Sequence, residues 1–268
     1  MTTPEAGPPR GAPPTGEPLI SPTLIAHLLE LRRRLLHSVA ALLILFACLF
    51  PFQNQVFEWV ARPMLVHLPA GSSMIATGVA SPFMTPMKLT LVVALFLAVP
   101  VFLYHLWRFI SPALYKSERR MFLPLLVSSV LFFYSGVAFA YFVLFPVAFA
   151  FLTAAAPEGV KVMTDINAYL DFVLTIFFAF GVAFEVPVAI VLMVWAGFTS
   201  PGRLKKIRPY ALVGAFFIGM LLAPPDVVSM TLLAVPIYML YELGMIMAKL
   251  LVPGSREVDA QREAGQEP

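Results

Sequence analysis

"FAFGVAFEVPVAIVLMVWAGF", Phe178 to Phe198, contains a single ionisable group, Glu185, among apolar and small residues. Its length matches the ~20 residues needed to cross the hydrocarbon of a bilayer. The whole chain agrees with this reading: 60% of its residues are hydrophobic and 12% are charged. An ordinary soluble domain has about 25% charged residues. Mean hydropathy is +0.86, too high for a packed core alone. The chain reads as a polytopic membrane protein.

Working outward, the apolar runs predict six spans: Leu35–Phe52, Lys88–Trp107, Met121–Phe145, Ala168–Phe198, Pro209–Leu222 and Val227–Leu251. Span five has only fourteen residues and ends at "APPD", where two prolines remove backbone donors and clash with the preceding turn. Between spans one and two, Val56, Phe57, Trp59, Val60, Met64 and Leu65 predict a short helix on the membrane surface. Lys88 is placed at a span edge, where its stem can snorkel to the headgroups. Residues 1–21, rich in Pro and Gly, and 252–268 read as disordered tails around a membrane domain of 22–251.

The first span follows "HLLELRRRLLHSV", His27 to Val39, and basic residues before an apolar run resemble an export signal. That reading fails. "PFQNQVFEWVARP" follows without a small-residue cleavage site, and further spans take the place of a soluble passenger. Cys48 is the sole cysteine, which excludes an intrachain disulfide, and its position predicts a buried small hydrophobe.

Loop charge sets the orientation. Fifteen of the eighteen lysines and arginines fall on one side: Arg10 to Arg34, the loops after spans two and four, and the C-terminal end. Arg62, Lys88 and Lys161 fall on the other. Both termini are therefore expected in the cytoplasm.

No phosphate loop, zinc-spaced histidine pair or hydrolase elbow is present, and His27, His37, His67 and His105 are scattered. The chain does not read as an enzyme. The carboxylates need more explanation. Glu30 lies within one turn of Arg33 and Arg34, and Glu118 beside Lys116, Arg119 and Arg120. Local ion pairs worth a few tenths of a kcal/mol account for each singly. Yet both sit at cytoplasmic span edges, so a shared acidic patch follows if those edges adjoin. Glu185 lies near the middle of span four, where ionisation costs several kcal/mol and the neutral acid is favoured. Its bland reading is a hydrogen bond to a neighbouring helix or to a carbonyl freed by Pro187; the functional reading is a polar contact facing a partner or cargo. Asp226 suits the N-terminus of span six as a cap.

Six stretches in combination, "HLLELRRRLL", "MIATGVASPFMTPMKL", "FISPALYKSERR", "FAFGVAFEVPVAIVLM", "RPYALVGAFFIGMLLAPPD" and "LLAVPIYMLYE", resemble the TatC family over Pro22 to Leu251. That family is the multispanning core receptor of twin-arginine protein translocation. The resemblance implies an all-α membrane protein, a glove-shaped concave bundle of six transmembrane helices with short spans five and six. It implies that Glu30, Glu118 and Phe109 bind the signal peptide. Glu185 becomes part of an intramembrane groove, and Pro63, Asp226 and Arg32 become further sensitive positions. The partners implied are the single-span proteins TatA and TatB, twin-arginine signal peptides of folded cargo, membrane lipids and further copies of the chain. No nucleic acid and no cofactor is implied, and the energy source is the proton gradient across a bacterial inner membrane. Met220, Ala223 and Met230 depart from relatives that carry more polar residues there. A small-solute transporter with broken helices is the rival reading, but it requires paired halves that the chain lacks. A passive scaffold leaves the glutamates unexplained.

Overall fold

The computed structural model describes residues 22–67, 73–110, 119–155, 163–222 and 226–252. In chain order the elements are α1 (Pro22–Leu49), α2 (Gln53–His67), α3 (Ser81–Ile110), α4 (Arg119–Phe139), α5 (Phe145–Ala154), α6 (Ile166–Ala183), α7 (Val186–Trp195), α8 (Pro201–Leu222) and α9 (Val227–Leu251). Residues 1–21 and 253–268 lie outside the described part.

Span three is α4 and α5 joined through a π-helical turn, Ala140–Leu144. The Phe145 N–H donates to the Ala140 carbonyl five residues back. Pro146, next in line, has no N–H to give, so the wider turn fits the local sequence. Span four is interrupted rather than continuous: α6 ends at Ala183 and α7 begins at Val186, with Glu185 as its N-cap residue. Span two starts at Ser81, ahead of the expected Lys88.

Among the described residues, five helical runs are long and apolar enough to cross a membrane. α8 is the exception because Arg203, Lys205, Lys206 and Arg208 occupy its first turns. Fourteen apolar residues, Pro209–Leu222, rise about 21 Å, against a hydrocarbon core of about 30 Å.

The core is largely aromatic. Phe145 and Phe180 are fully buried, and Phe96 meets Phe133, Phe177 and Phe178 edge-on at 5.1–6.0 Å. α1 packs on α3, α4 on α6, α7 on α9 and α8 on α9. Glycine makes the α4–α6 approach possible: a Cβ at Gly136 would lie 2.4 Å from the Phe180 carbonyl oxygen.

α2 does not simply rest on the membrane surface. Val60, Ala61 and Met64 are buried in the core while Trp59, Leu65 and Val66 face outward. Two tyrosines hold it there: Tyr141 donates to the Trp59 carbonyl and Tyr169 to the Val60 carbonyl, each at 2.8 Å. Cys48 is exposed, which corrects the expectation of burial. The most apolar stretch of Arg32–Val66 is only 6% buried within the protein, so hydropathy there marks contact with lipid rather than with protein.

Candidate functional site

Toward its N-terminal end, α1 carries Glu30, Arg32, Arg33 and Arg34 within little more than one turn, packed beside the last turns of α3. Glu30 and Arg34 form an ion pair through Oε1 and Nη2. The other guanidinium nitrogen, Nη1, donates to the His105 carbonyl of α3 at 3.2 Å. The two partners differ in exposure, with 12% for the Arg34 side chain and 49% for Glu30. The His37 and His105 rings lie 6.2 Å apart, and Arg108 donates to the Tyr104 hydroxyl at 2.7 Å. Arg32 is exposed. Glu118 and the side chain of Phe109 lie outside the described residues, so their predicted meeting with Glu30 has no geometry here.

In the membrane interior, Glu185 sits at the α6–α7 break. Pro187 cannot donate to the Ala183 carbonyl, and the Glu185 N–H bonds instead to Val182 three residues back, at 3.0 Å. The bend turns the Glu185 side chain toward α4, where its carboxyl interacts with the fully buried Ser129 hydroxyl. Trp107 of α3 donates to that same Ser129 oxygen at 3.2 Å. Glu185 Oε1 is buried with no hydrogen-bond partner among the described residues. A buried acceptor left open is costly and invites a donor from outside.

On the opposite side, two carboxylates act as caps. Asp226 accepts from the Ser229 N–H at 2.7 Å, as expected, and this bond holds its carboxyl below the usual carboxylate range. Asp165 accepts from Asn167 and Ala168 with one oxygen and from the Thr77 N–H and hydroxyl with the other. Four donors, those of Thr77 first, bring it down to about 2. It thereby ties the segment before α3 to the start of α6, where Ile75 and Asp165 also form a parallel bridge. Lys88, expected to snorkel, pairs with Asp171 of α6. Pro63 has a local effect of the same kind. Residue 63 has no N–H for the Trp59 carbonyl, which is left for Tyr141, and the Trp59 and Tyr141 rings stack at 4.6 Å.

The sequence reading missed one cluster. Arg208 of α8 and Glu242 of α9 pair at 2.5 Å, Tyr238 donates to the second Glu242 oxygen at 2.8 Å, and Tyr241 donates to the Leu204 carbonyl at 2.6 Å. The signal was present, since an acid inside apolar span six calls for the same question as Glu185. Among the described residues no cluster of His, Cys, Asp and Glu is arranged to hold a metal.

Residues 26–236 match the family model described as Sec-independent protein translocase protein (TatC). The chain belongs to the TatC family. It is 59% identical over 233 residues to the Sec-independent protein translocase protein TatC of Escherichia coli, covering 87% of this chain and 90% of that protein. The Haemophilus influenzae TatC is 53% identical over 237 residues, 88% and 93% of the two chains. A crystal structure of the twin arginine translocase receptor TatC superposes with a TM-score of 0.74 at 40% identity, covering 84% of this chain and 98% of that one. The expected all-α, six-span TatC bundle is the observed fold, and the chain is a multi-pass membrane protein of a transport family rather than an enzyme.

Proposed function

We propose that this TatC-family chain is the signal-peptide receptor of a twin-arginine translocase in a bacterial inner membrane. One observation carries the reading: Glu30 stands half-exposed toward the N-terminal end of α1, already engaged with a guanidinium. A carboxylate accepts a guanidinium through two parallel hydrogen bonds, which an ammonium cannot reproduce. Glu30 supplies one acceptor, Glu118 the second, and Phe109 packs beside the bound arginines. Arg32, exposed two residues after Glu30, helps draw the site to the anionic leaflet, where basic signal regions collect. The apolar part of the signal lies along the concave face toward Glu185, whose open oxygen takes a donor. Pro63 and Asp226 keep the side of the bundle away from Glu30 in place. TatA and TatB dock on the membrane-exposed helices, several copies assemble, and the proton gradient drives transport of the folded cargo.

Glu30→Ala and Glu118→Ala are each expected to weaken binding of a twin-arginine peptide about tenfold. A charge-assisted bond is worth about 1.5–3 kcal/mol, and solvent moves it to the lower end. A twin-lysine peptide binds the parent less well and loses less in either variant. If the glutamates only steady their own helices, both peptides lose equally and stability falls. A double-mutant cycle between receptor glutamates and signal arginines decides, and zero coupling in folded variants removes these residues as the site.

On this proposal both termini lie in the cytoplasm, the side that the loop charge bias favours. In a Cys48-free background, a single cysteine near Ser200 is expected to react only from the cytoplasmic side and one near Gly159 only from outside. Labelling of the Ser200 site from outside alone inverts the topology.

A further inference from the structure

We infer that Arg34 is a built-in competitor for the arginines that Glu30 receives, and so sets the affinity of the site; this rests on the signal-reading role of Glu30 proposed above. The observation is that the half-exposed carboxylate is occupied from within its own chain. Arg34 Nη2 holds Glu30 Oε1, and Nη1 is tied to the His105 carbonyl on the next helix. A residue free in solvent would exchange this contact at little cost. Arg34 is instead 12% exposed and anchored at both nitrogens, so the guanidinium is pre-placed and loses little freedom in forming the pair.

An incoming guanidinium requires both carboxylate oxygens for its paired hydrogen bonds. With Oε1 taken, it either donates a single bond to Oε2 or displaces Arg34. In both cases it meets a resident positive charge at close range. Displacement leaves Arg34 its second anchor, the His105 carbonyl, so the helix contact between α1 and α3 persists while Glu30 is surrendered. The apparent affinity is then the intrinsic one reduced by the fraction of receptor in which Glu30 is free. A lysine needs one oxygen only and can use Oε2 beside the resident Arg34. The competitor therefore weighs more on an arginine ligand than on a lysine ligand, and it keeps the receptor from holding its signal too long for release.

The opposite account makes Arg34 a support that orients Glu30. The two differ in sign. With the full-length protein in nanodiscs and a fluorescent twin-arginine peptide, Arg34→Gln is expected to tighten binding about two- to fivefold, the span of an exposed ion pair. A twin-lysine peptide gains less. The gain disappears when Arg34→Gln is combined with Glu30→Gln, because a competitor matters only while its target exists. Because Arg34 also bridges α1 and α3, Arg34→Lys serves as a second variant that retains charge and stem; it is expected to tighten binding by a smaller factor. Unchanged or weaker binding in folded Arg34→Lys and Arg34→Gln proteins, with Glu30→Gln still harmful, overturns the competitor and leaves the receptor site standing. If Glu30→Gln itself leaves peptide affinity unchanged, both the receptor site and the competitor fall.

Discussion

Gly136→Ala is expected to destabilise the bundle by about 3 kcal/mol or more, toward and beyond the upper end of overpacking effects. The added Cβ would lie 2.4 Å from the Phe180 carbonyl oxygen and 2.9 Å from Phe184 Cγ. The first obstacle is backbone, which cannot rotate aside, so α4 and α6 must separate. In a membrane, lipid is as apolar as the core, and close packing at small residues is what holds such helices together. Separation also draws Ser129, two turns away on the same face of α4, from the Glu185 carboxyl. Gly214 provides the control, because a Cβ there meets nothing within 4 Å, and alanine is the better helix former. Thermal unfolding of purified variants should show a large loss at 136 and none at 214. A Gly136→Ala protein as stable as the parent would disprove the close approach.

Glu242→Ala is expected to cost about 2–3 kcal/mol, somewhat below the ~3–5 kcal/mol for breaking a fully buried pair. The discount reflects side chains that remain 39% exposed for Arg208 and 25% for Glu242. Removing the carboxylate strands the Arg208 charge, whose Nε is already buried without a partner among the described residues, and also the Tyr238 hydroxyl. The pair joins α8 to α9, so the loss concentrates in the α8–α9 hairpin. Replacing both partners, Arg208→Met with Glu242→Leu, should restore most of the stability, since no charge is left unpaired. Unfolding midpoints for the two single and the double variants test this. A double variant no better than Glu242→Ala would show that the pair itself is not the source.

Much of this architecture is written locally. The fourteen apolar residues of Pro209–Leu222 fix a short span whatever surrounds them, because length and hydropathy are properties of the segment alone. Asp226 caps α9 through an N–H three residues away, again without help from the rest of the chain. Pro187 beside Glu185 carries the cause of the α6–α7 break, although hydropathy, uniform across the stretch, conceals it.

Other features exist only in three dimensions. Cys48 and Phe145 lie in equally apolar surroundings, yet one is exposed and the other fully buried. Hydropathy cannot separate them, because lipid and protein interior look alike to an apolar side chain. Arg208 and Glu242 are thirty-four positions apart, and Lys88 and Asp171 eighty-three. Trp107, Ser129 and Glu185 come from three different spans. The sequence by itself determined that these polar groups lie within or at the edges of apolar runs. Which of them meet was decided only by the packing of the helices, because a charge or hydroxyl at that depth finds its partner across a helix interface, and no periodicity along one segment records which faces adjoin.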